Sequence, residues 1–301
     1  MGRLVRKELD GIPLVGFSVA GEETVIAAPE HSVCFDVGRS PREIIPIDNV
    51  CLSHGHMDHA AGIAYYFSQR NFIGNAPGRV IVHRGLAQAI QSLMAVWADI
   101  EGHHSPGTVL GVEPLEDVPI RRGLLVRPFQ TNHNAESLGF SLIETRTKLK
   151  PEYHGLSGPE IVALKKNGVA IENDLEIPRL TYTGDTALGR FLNHDFVRNS
   201  HAVLIECTFF DREHRERARA GRHLHVDDLP EVISAIPEGL ISIIHVTRRT
   251  DLRVAKRALD KVVPKADRDR VGLFMERLPR RSGQPVQSTS ETPQPVEQSR
   301  E

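Results

Sequence analysis

Ser53-His54-Gly55-His56-Met57-Asp58-His59 places three imidazoles and one carboxylate within the six positions 54–59. Few structural tasks need that density of donor atoms, whereas a pair of metal ions does. The apolar run Asn49-Val50-Cys51-Leu52-Ser53 before it predicts a strand, and the Ala-rich stretch from Ala60 predicts a helix. Ligands at a strand-to-helix turn are held by rigid elements and stay open to substrate. His54 and His56 are two apart, so on an extended segment both side chains face one side and can share one ion. Asp58 and His59 start the next element and can reach a second.

Working outward, the same arrangement recurs at the ends of other strand-like runs. Ser32–Asp36 ends in a carboxylate before Gly38, and Leu125–Phe129 runs into His133. Leu180–Thr183 runs into Gly184-Asp185-Thr186, Val203–Glu206 ends in Glu206, and Ile241–Ile244 runs into His245. If these ends lie along one edge of the fold, their polar groups converge. His133, Asp185 and His245 are then the candidates to complete the ligand set, with Asp185 able to bridge both ions through its two oxygens. Nitrogen and carboxylate donors without thiolate suit Zn²⁺, and also Mn²⁺ or Fe²⁺. Asp36 is either a turn carboxylate or a partner that fixes a ligand imidazole. Two ions sharing a water make it acidic enough to attack an ester at neutral pH, so the reaction class is metal-assisted hydrolysis. Asp58 is placed to accept that water's proton or to orient it.

The chain has 301 residues, 40% of them hydrophobic, enough for one large core or two modest ones. A net charge of -2 excludes a global basic field for nucleic acid, so RNA would have to meet a local patch. Candidate patches are Arg146, Lys148, Lys150, Lys165 and Lys166, and then Arg248, Arg249 and Arg253. Cys34, Cys51 and Cys207 lie singly in apolar runs and read as buried thiols of a reducing compartment. The first residues lack a signal-peptide core and no run is long enough to span a bilayer, so the expected location is cytoplasmic, with no membrane partner. Alternating strand and helix patterns predict α/β layers in one domain over residues 1–278. The Pro-, Ser-, Gln- and Glu-rich stretch 279–301 predicts a disordered tail. Leu86, Ala89, Ile90, Leu93, Met94 and Trp97 recur at helical spacing and are expected to face the core. Gly158–Gly168 has Pro at a helix start and Gly just past its end.

The motif HxHxDH, followed by a distal His, a central Asp and a last His, resembles the metallo-β-lactamase superfamily. That likeness implies an αβ/βα four-layer sandwich with the site along one edge. Three further segments resemble the ribonuclease Z family: Thr131-Asn-His133-Asn-Ala-Glu-Ser137-Leu-Gly139-Phe140; Thr183–Thr186 with Leu204-Ile-Glu206-Cys-Thr-Phe209; and Gly221-Arg-His223-Leu-His225, with His223 lying 22 residues before His245. Gly38-Arg39-Ser40-Pro41 and Lys148-Leu-Lys150-Pro-Glu152-Tyr153-His-Gly155-Leu156-Ser157-Gly158 narrow the likeness to the short plant-type form, over roughly residues 10 to 260.

The resemblance implies endonucleolytic removal of the 3′ trailer from precursor tRNA by two divalent metal ions per chain. It implies His54, His56, His133 and Asp185 on the first ion, and Asp58, His59, Asp185 and His245 on the second. His223 would donate a proton to the leaving oxygen, oriented by Glu206. A short arm-like insertion at about 145–180 would grip tRNA, and a homodimer would present one subunit's arm to the other's substrate. The chain departs from the pattern at Arg222, where the family often has Gly, and at Thr247 and Thr250, where Ser and Tyr are usual. Rival readings keep the site for a small phosphodiester or a glyoxalase II-like thioester, or drop catalysis for a metal-stabilised RNA-binding scaffold.

Overall fold

The protein is described by a computed structural model covering residues 4–276, so the tail expected at 279–301 lies outside the described residues. The first sheet holds β1 (Val5–Leu9), β2 (Ile12–Ala20), β3 (Glu23–Ala28), β4 (Val33–Phe35), β5 (Asn49–Cys51), β6 (Gly78–His83) and β7 (Gly107–Val112), in that spatial order. The second holds β8 (Val118–Arg121), β9 (Leu124–Gln130), β10 (Leu138–Leu149), β11 (Glu172–Tyr182), β12 (Ala202–Glu206) and β13 (Leu240–Ile244). β14 (Val246–Thr247) returns to the first sheet beside β2, and β15 (Val271–Leu273) closes the second beside β13.

Period-2 alternation builds the layers. In β12, Ala202 and Leu204 pack between the sheets with Phe35, Cys51, Phe140 and Tyr182. Val203 and Ile205 point the other way, against the helices Leu229–Ala235 and Leu252–Val262. On the outer face of the first sheet, Val50, Val80 and Val82 pack against Ile63, Tyr66, Phe67 and Ile90 of the helices Ile63–Phe72 and Arg84–Glu101. Helix, sheet, sheet and helix therefore stack as four layers, with apolar residues on both faces of the central parallel strands. This is the expected sandwich.

The helix Arg84–Glu101 corrects one expectation. Only Ile90 of its apolar stripe is buried, while Leu93 and Trp97 are 46% and 40% exposed. The helix lies in an outer layer and spends one narrow strip on the sheet. Leu86, Ala89 and Leu93 of the stripe border a groove with Met57, Ala60 and Ala61.

β10 and β11 run on together past their neighbours. β9 pairs β10 only as far as Glu144, and β12 pairs β11 only from Leu180, whereas the two pair with each other out to Leu149 and Glu172. The outer part is a two-stranded ribbon tipped by the helix Gly158–Lys166, whose Ser157/Glu160 capping box and Gly168 (φ +73°) set its two ends.

Candidate metal centre

The strand ends do meet along one edge. After β5 the chain turns into the short helix Met57–Ala60, leaving His54 buried and His56 exposed. Asp185 follows Gly184, whose φ is +61° and where an added Cβ would lie 2.6 Å from the Ser53 Cβ, so only glycine lets this turn close on the His54 loop. His245 is the residue at which the chain crosses from the second sheet to the first. It takes a left-handed φ of +59°, and its N–H donates to Ser18 Oγ at 2.9 Å.

Three donor sets result, two of them built on the 54–59 run: His54, His56, His133 and Asp185; and Asp58, His59 and His245. In the first, His133 Nε2 faces His56 Nδ1 at 3.3 Å, and His54 Nε2 lies 3.8 Å from Asp185 Oδ2. In the second, His59 Nε2 faces His245 Nε2 at 3.3 Å, and Asp58 Oδ2 lies 3.4 Å from His245 Nε2. Asp185 Oδ2 is also 3.4 Å from His59 Nε2, so this one carboxylate borders both sets. Bonds of about 2.0–2.1 Å in a tetrahedron put donors about 3.3 Å apart, the spacing seen here. His54 Nε2 and Asp185 Oδ1 are buried and have no hydrogen-bond partner in the protein. Buried polar atoms are rarely left so, and an ion would satisfy both. The residues present fit divalent cations.

Four of the five rings have their other nitrogen engaged. His59 Nδ1 donates to Asp36 Oδ2 at 2.6 Å, His54 Nδ1 meets Ser53 Oγ at 3.0 Å, His133 Nδ1 meets the Arg222 carbonyl at 3.3 Å, and His245 Nδ1 meets Thr208 Oγ1 at 2.9 Å. These contacts fix tautomer and ring angle, leaving the inner nitrogens as acceptors. Asp36 is therefore the orienting partner, also held by Ser53 N–H at 2.6 Å and by the Tyr182 hydroxyl. Burial drives the His54 imidazole well below its ordinary value, which keeps it neutral. Burial opposes charge on His59 too, but Asp185 and Asp36 outweigh it and hold that ring well above its ordinary value. Positive charge is thus favoured at the His59 end, beside Asp36 and Asp185, and disfavoured at His54.

A tRNase Z of Arabidopsis thaliana is 31% identical over 261 residues, covering 85% of this chain and 93% of its own length. The chain belongs to the ribonuclease Z family. A chloroplastic tRNase Z of the same plant is 30% identical over 86% of this chain and 74% of its own length. A nuclear ribonuclease Z of Triticum aestivum is 34% identical over 56% of this chain and 96% of its own length. No protein-family model matches the chain. Among solved structures, a metallo-β-lactamase fold protein of Bacillus subtilis superposes with a TM-score of 0.59 at 13% identity, covering 85% of this chain and 93% of that one. The short form of human tRNase Z gives 0.51 at 13% identity, over 82% and 91%. At that identity the likeness speaks for the fold, which is the metallo-β-lactamase fold.

The candidate site opens into a trough of about 870 Å³ bordered by His56, Asp58, Asp185, His223, His245 and Phe209, with Arg217, Arg248 and Arg249 at its rim. His223 Nδ1 donates to Glu206 Oε1 at 2.7 Å. Burial disfavours a proton on His223, but Glu206, as neighbouring charge and as hydrogen-bond acceptor, outweighs it and raises the imidazole to about 9. Glu206 also lies within reach of Asp185, His223 and His245 as a donor set. Yet its oxygens already accept from Thr186 N–H at 2.8 Å and from Thr208 N–H and Oγ1 at 3.1 and 2.8 Å. Its geometry is that of an anchor. Burial raises Asp58, but hydrogen bonding to His245 and the charge of His59 outweigh it and hold the carboxyl well below the usual range. The Gly21 N–H adds a 2.7 Å bond to its Oδ2.

Sequence reasoning gave no role to Thr208, Tyr182 or Gly21. Thr208 sits in the quoted segment 204–209, two residues beyond a strand-end carboxylate, which is the one local signal it had. Tyr182 and Gly21 act only through tertiary contacts.

Proposed function

We infer that this protein is a metal-dependent endoribonuclease that removes the 3′ trailer from precursor tRNA, leaving a tRNA 3′-hydroxyl and a 5′-phosphorylated trailer. The observation that carries the site assignment is the pair of facing-nitrogen donor sets sharing Asp185. We assign His54, His56, His133 and Asp185 to one ion and Asp58, His59, Asp185 and His245 to a second, with Zn²⁺ favoured by the all-nitrogen-and-oxygen donors and Mn²⁺ or Fe²⁺ compatible with them. Bound there, divalent ions supply an acidified water as nucleophile and positive charge against the developing charge of the phosphodiester.

The chain's own groups do the rest. Asp58, so weakly basic, serves to orient the attacking water more than to take its proton. His223, kept protonated by Glu206, hands its proton to the departing 3′-oxygen. Arg217, Arg248 and Arg249 at the rim hold flanking phosphates. An acid assembly this complete argues against the scaffold reading, since a structural ion needs no proton donor.

The ribbon bears on substrate grip. Tyr182, at the site end of β11, reaches Asp36, while Glu172 is ten residues away at the other end. At about 3.3 Å per residue the ribbon tip lies more than 30 Å from its own site. We propose that residues 145–180 grip tRNA for the partner subunit of a homodimer, joined through the exposed apolar face of the helix Arg84–Glu101. A cytoplasmic, reducing setting belongs to the same proposal: Cys34, Cys51 and Cys207 are all buried free thiols. Among the described residues no helix is long and apolar enough to cross a membrane.

The test is incubation of the protein and Mn²⁺ or Zn²⁺ with a precursor tRNA and, separately, with bis(p-nitrophenyl) phosphate. One discrete cut beside the discriminator nucleotide is expected. Hydrolysis of the small diester without that cut would overturn the tRNA reading and keep the metal chemistry.

A further inference from the structure

We propose that Arg222 is a positioning residue whose guanidinium clasps the loop carrying His133 to the loop carrying His223. The proposal rests on the reading of His133 as a ligand and His223 as the acid. Arg222 ends the helix Arg215–Gly221 with φ 52° and ψ 54°, in the left-handed region. Helices commonly end that way on glycine, which enters the region freely, whereas an arginine there is strained. What the arginine adds is a side chain that turns back. Its Nη1 donates to the His133 carbonyl at 2.9 Å, while its own carbonyl meets His133 Nδ1 at 3.3 Å. Beside these, Asn134 Nδ2 donates to the Ala220 carbonyl at 3.0 Å.

Three links thus join two short loops that are 89 residues apart in the chain. They constrain both the backbone and the ring of His133, whose Nε2 is the atom facing His56. The next residue after Arg222 is His223, whose ring centroid lies 5.1 Å from that of His133 in an edge-on arrangement. One guanidinium therefore sets the position of a ligand and of the acid together. The charged donor makes its bond to the carbonyl stronger than a neutral amide would.

Arg222→Gly isolates the side chain, because glycine keeps the backbone carbonyl and relieves the strain. Three readouts apply. The first is release of metal from the holoprotein to a chromogenic chelator, expected about tenfold faster, the lower end of what partners behind a ligand carry. The second is kinetics: kcat should fall on both substrates with KM little changed, further on precursor tRNA, whose leaving oxygen also needs the acid, and Arg222→Lys should restore part of the loss. The third needs no metal: amide exchange across residues 131–136 should quicken while the melting temperature holds or rises. Unchanged exchange and unchanged chelator release would overturn the clasp. A raised KM for precursor tRNA alone, with small-diester turnover intact, would also overturn it and make Arg222 a phosphate contact. A wild-type protein that retains no metal would instead defeat the functional reading, and the exchange measurement would still judge the clasp.

Discussion

Asp36 receives four donors: the N–H and hydroxyl of Ser53, the His59 ring and the Tyr182 hydroxyl. An amide cannot replace it, because one of its two ends is itself a donor and would oppose a donor already there. Asp36→Asn should therefore free the His59 ring. Metal affinity or activity should fall about 10–100-fold, the usual cost of losing such a partner. Metal content after a chelator challenge measures it, and wild-type retention would contradict the role. His223 makes a second prediction, in pH. Its pKa is raised from 6.5 to about 9, so the proton it needs as an acid is present at neutral pH and lost as pH rises through about 9. The linked stability has the same sign: fully present below about 6.5, and lost toward about 9. The rate on RNA should show an alkaline fall, and His223→Ala should abolish it while lowering kcat by about 10²–10⁴-fold. p-Nitrophenolate leaves without protonation, so the small diester should lose much less. Equal losses on both substrates would remove His223 from the acid role.

At the scale of elements, the ligands were legible because strand-like runs end close before them. His54, His133, Asp185 and His245 all lie within three residues past the end of a strand, and that is a local property of the chain. The partners behind them were not legible, since Tyr182 reaches Asp36 from 146 residues away and nothing in its own neighbourhood marks it. The apolar stripe of Arg84–Glu101 misled for a related reason: helical spacing says that a face is apolar without saying what covers it. The ribbon is separable from the chemistry. Lys150 N–H bonds to the Ile171 carbonyl at 2.9 Å, so residues 151–170 can be replaced by Asn-Gly without disturbing the pairing below. That variant should hydrolyse the small diester at the wild-type rate and bind precursor tRNA more weakly. Its binding should also depend less steeply on salt, by roughly one in the log–log slope for each phosphate that the ribbon no longer holds. Unchanged precursor cleavage would show that the ribbon grips nothing.

At the scale of the whole molecule, the apolar face and the ribbon pose one question. Met57, in the ligand run itself, is 75% exposed and borders the groove with Leu93, while Trp97 is exposed one turn further along the same helix. In the proposed homodimer a second copy would cover this face. Because Leu93 and Trp97 are already half exposed, Leu93→Glu with Trp97→Glu should cost the fold little. The wild type should sediment at twice its 33.5 kDa chain mass and the double variant at once that mass. The variant should keep small-diester hydrolysis and lose precursor processing. Subunit mixing then decides whether the ribbon works in trans. Chains lacking 151–170 retain a site, and His223→Ala chains retain a ribbon, so each alone should process precursor poorly. Mixed dimers pair an intact site with the partner's ribbon and should recover up to half of the wild-type rate per site. If mixing restores nothing while both variants dimerise, the ribbon serves its own subunit, and the chain must bend the tRNA back across more than 30 Å of its own surface.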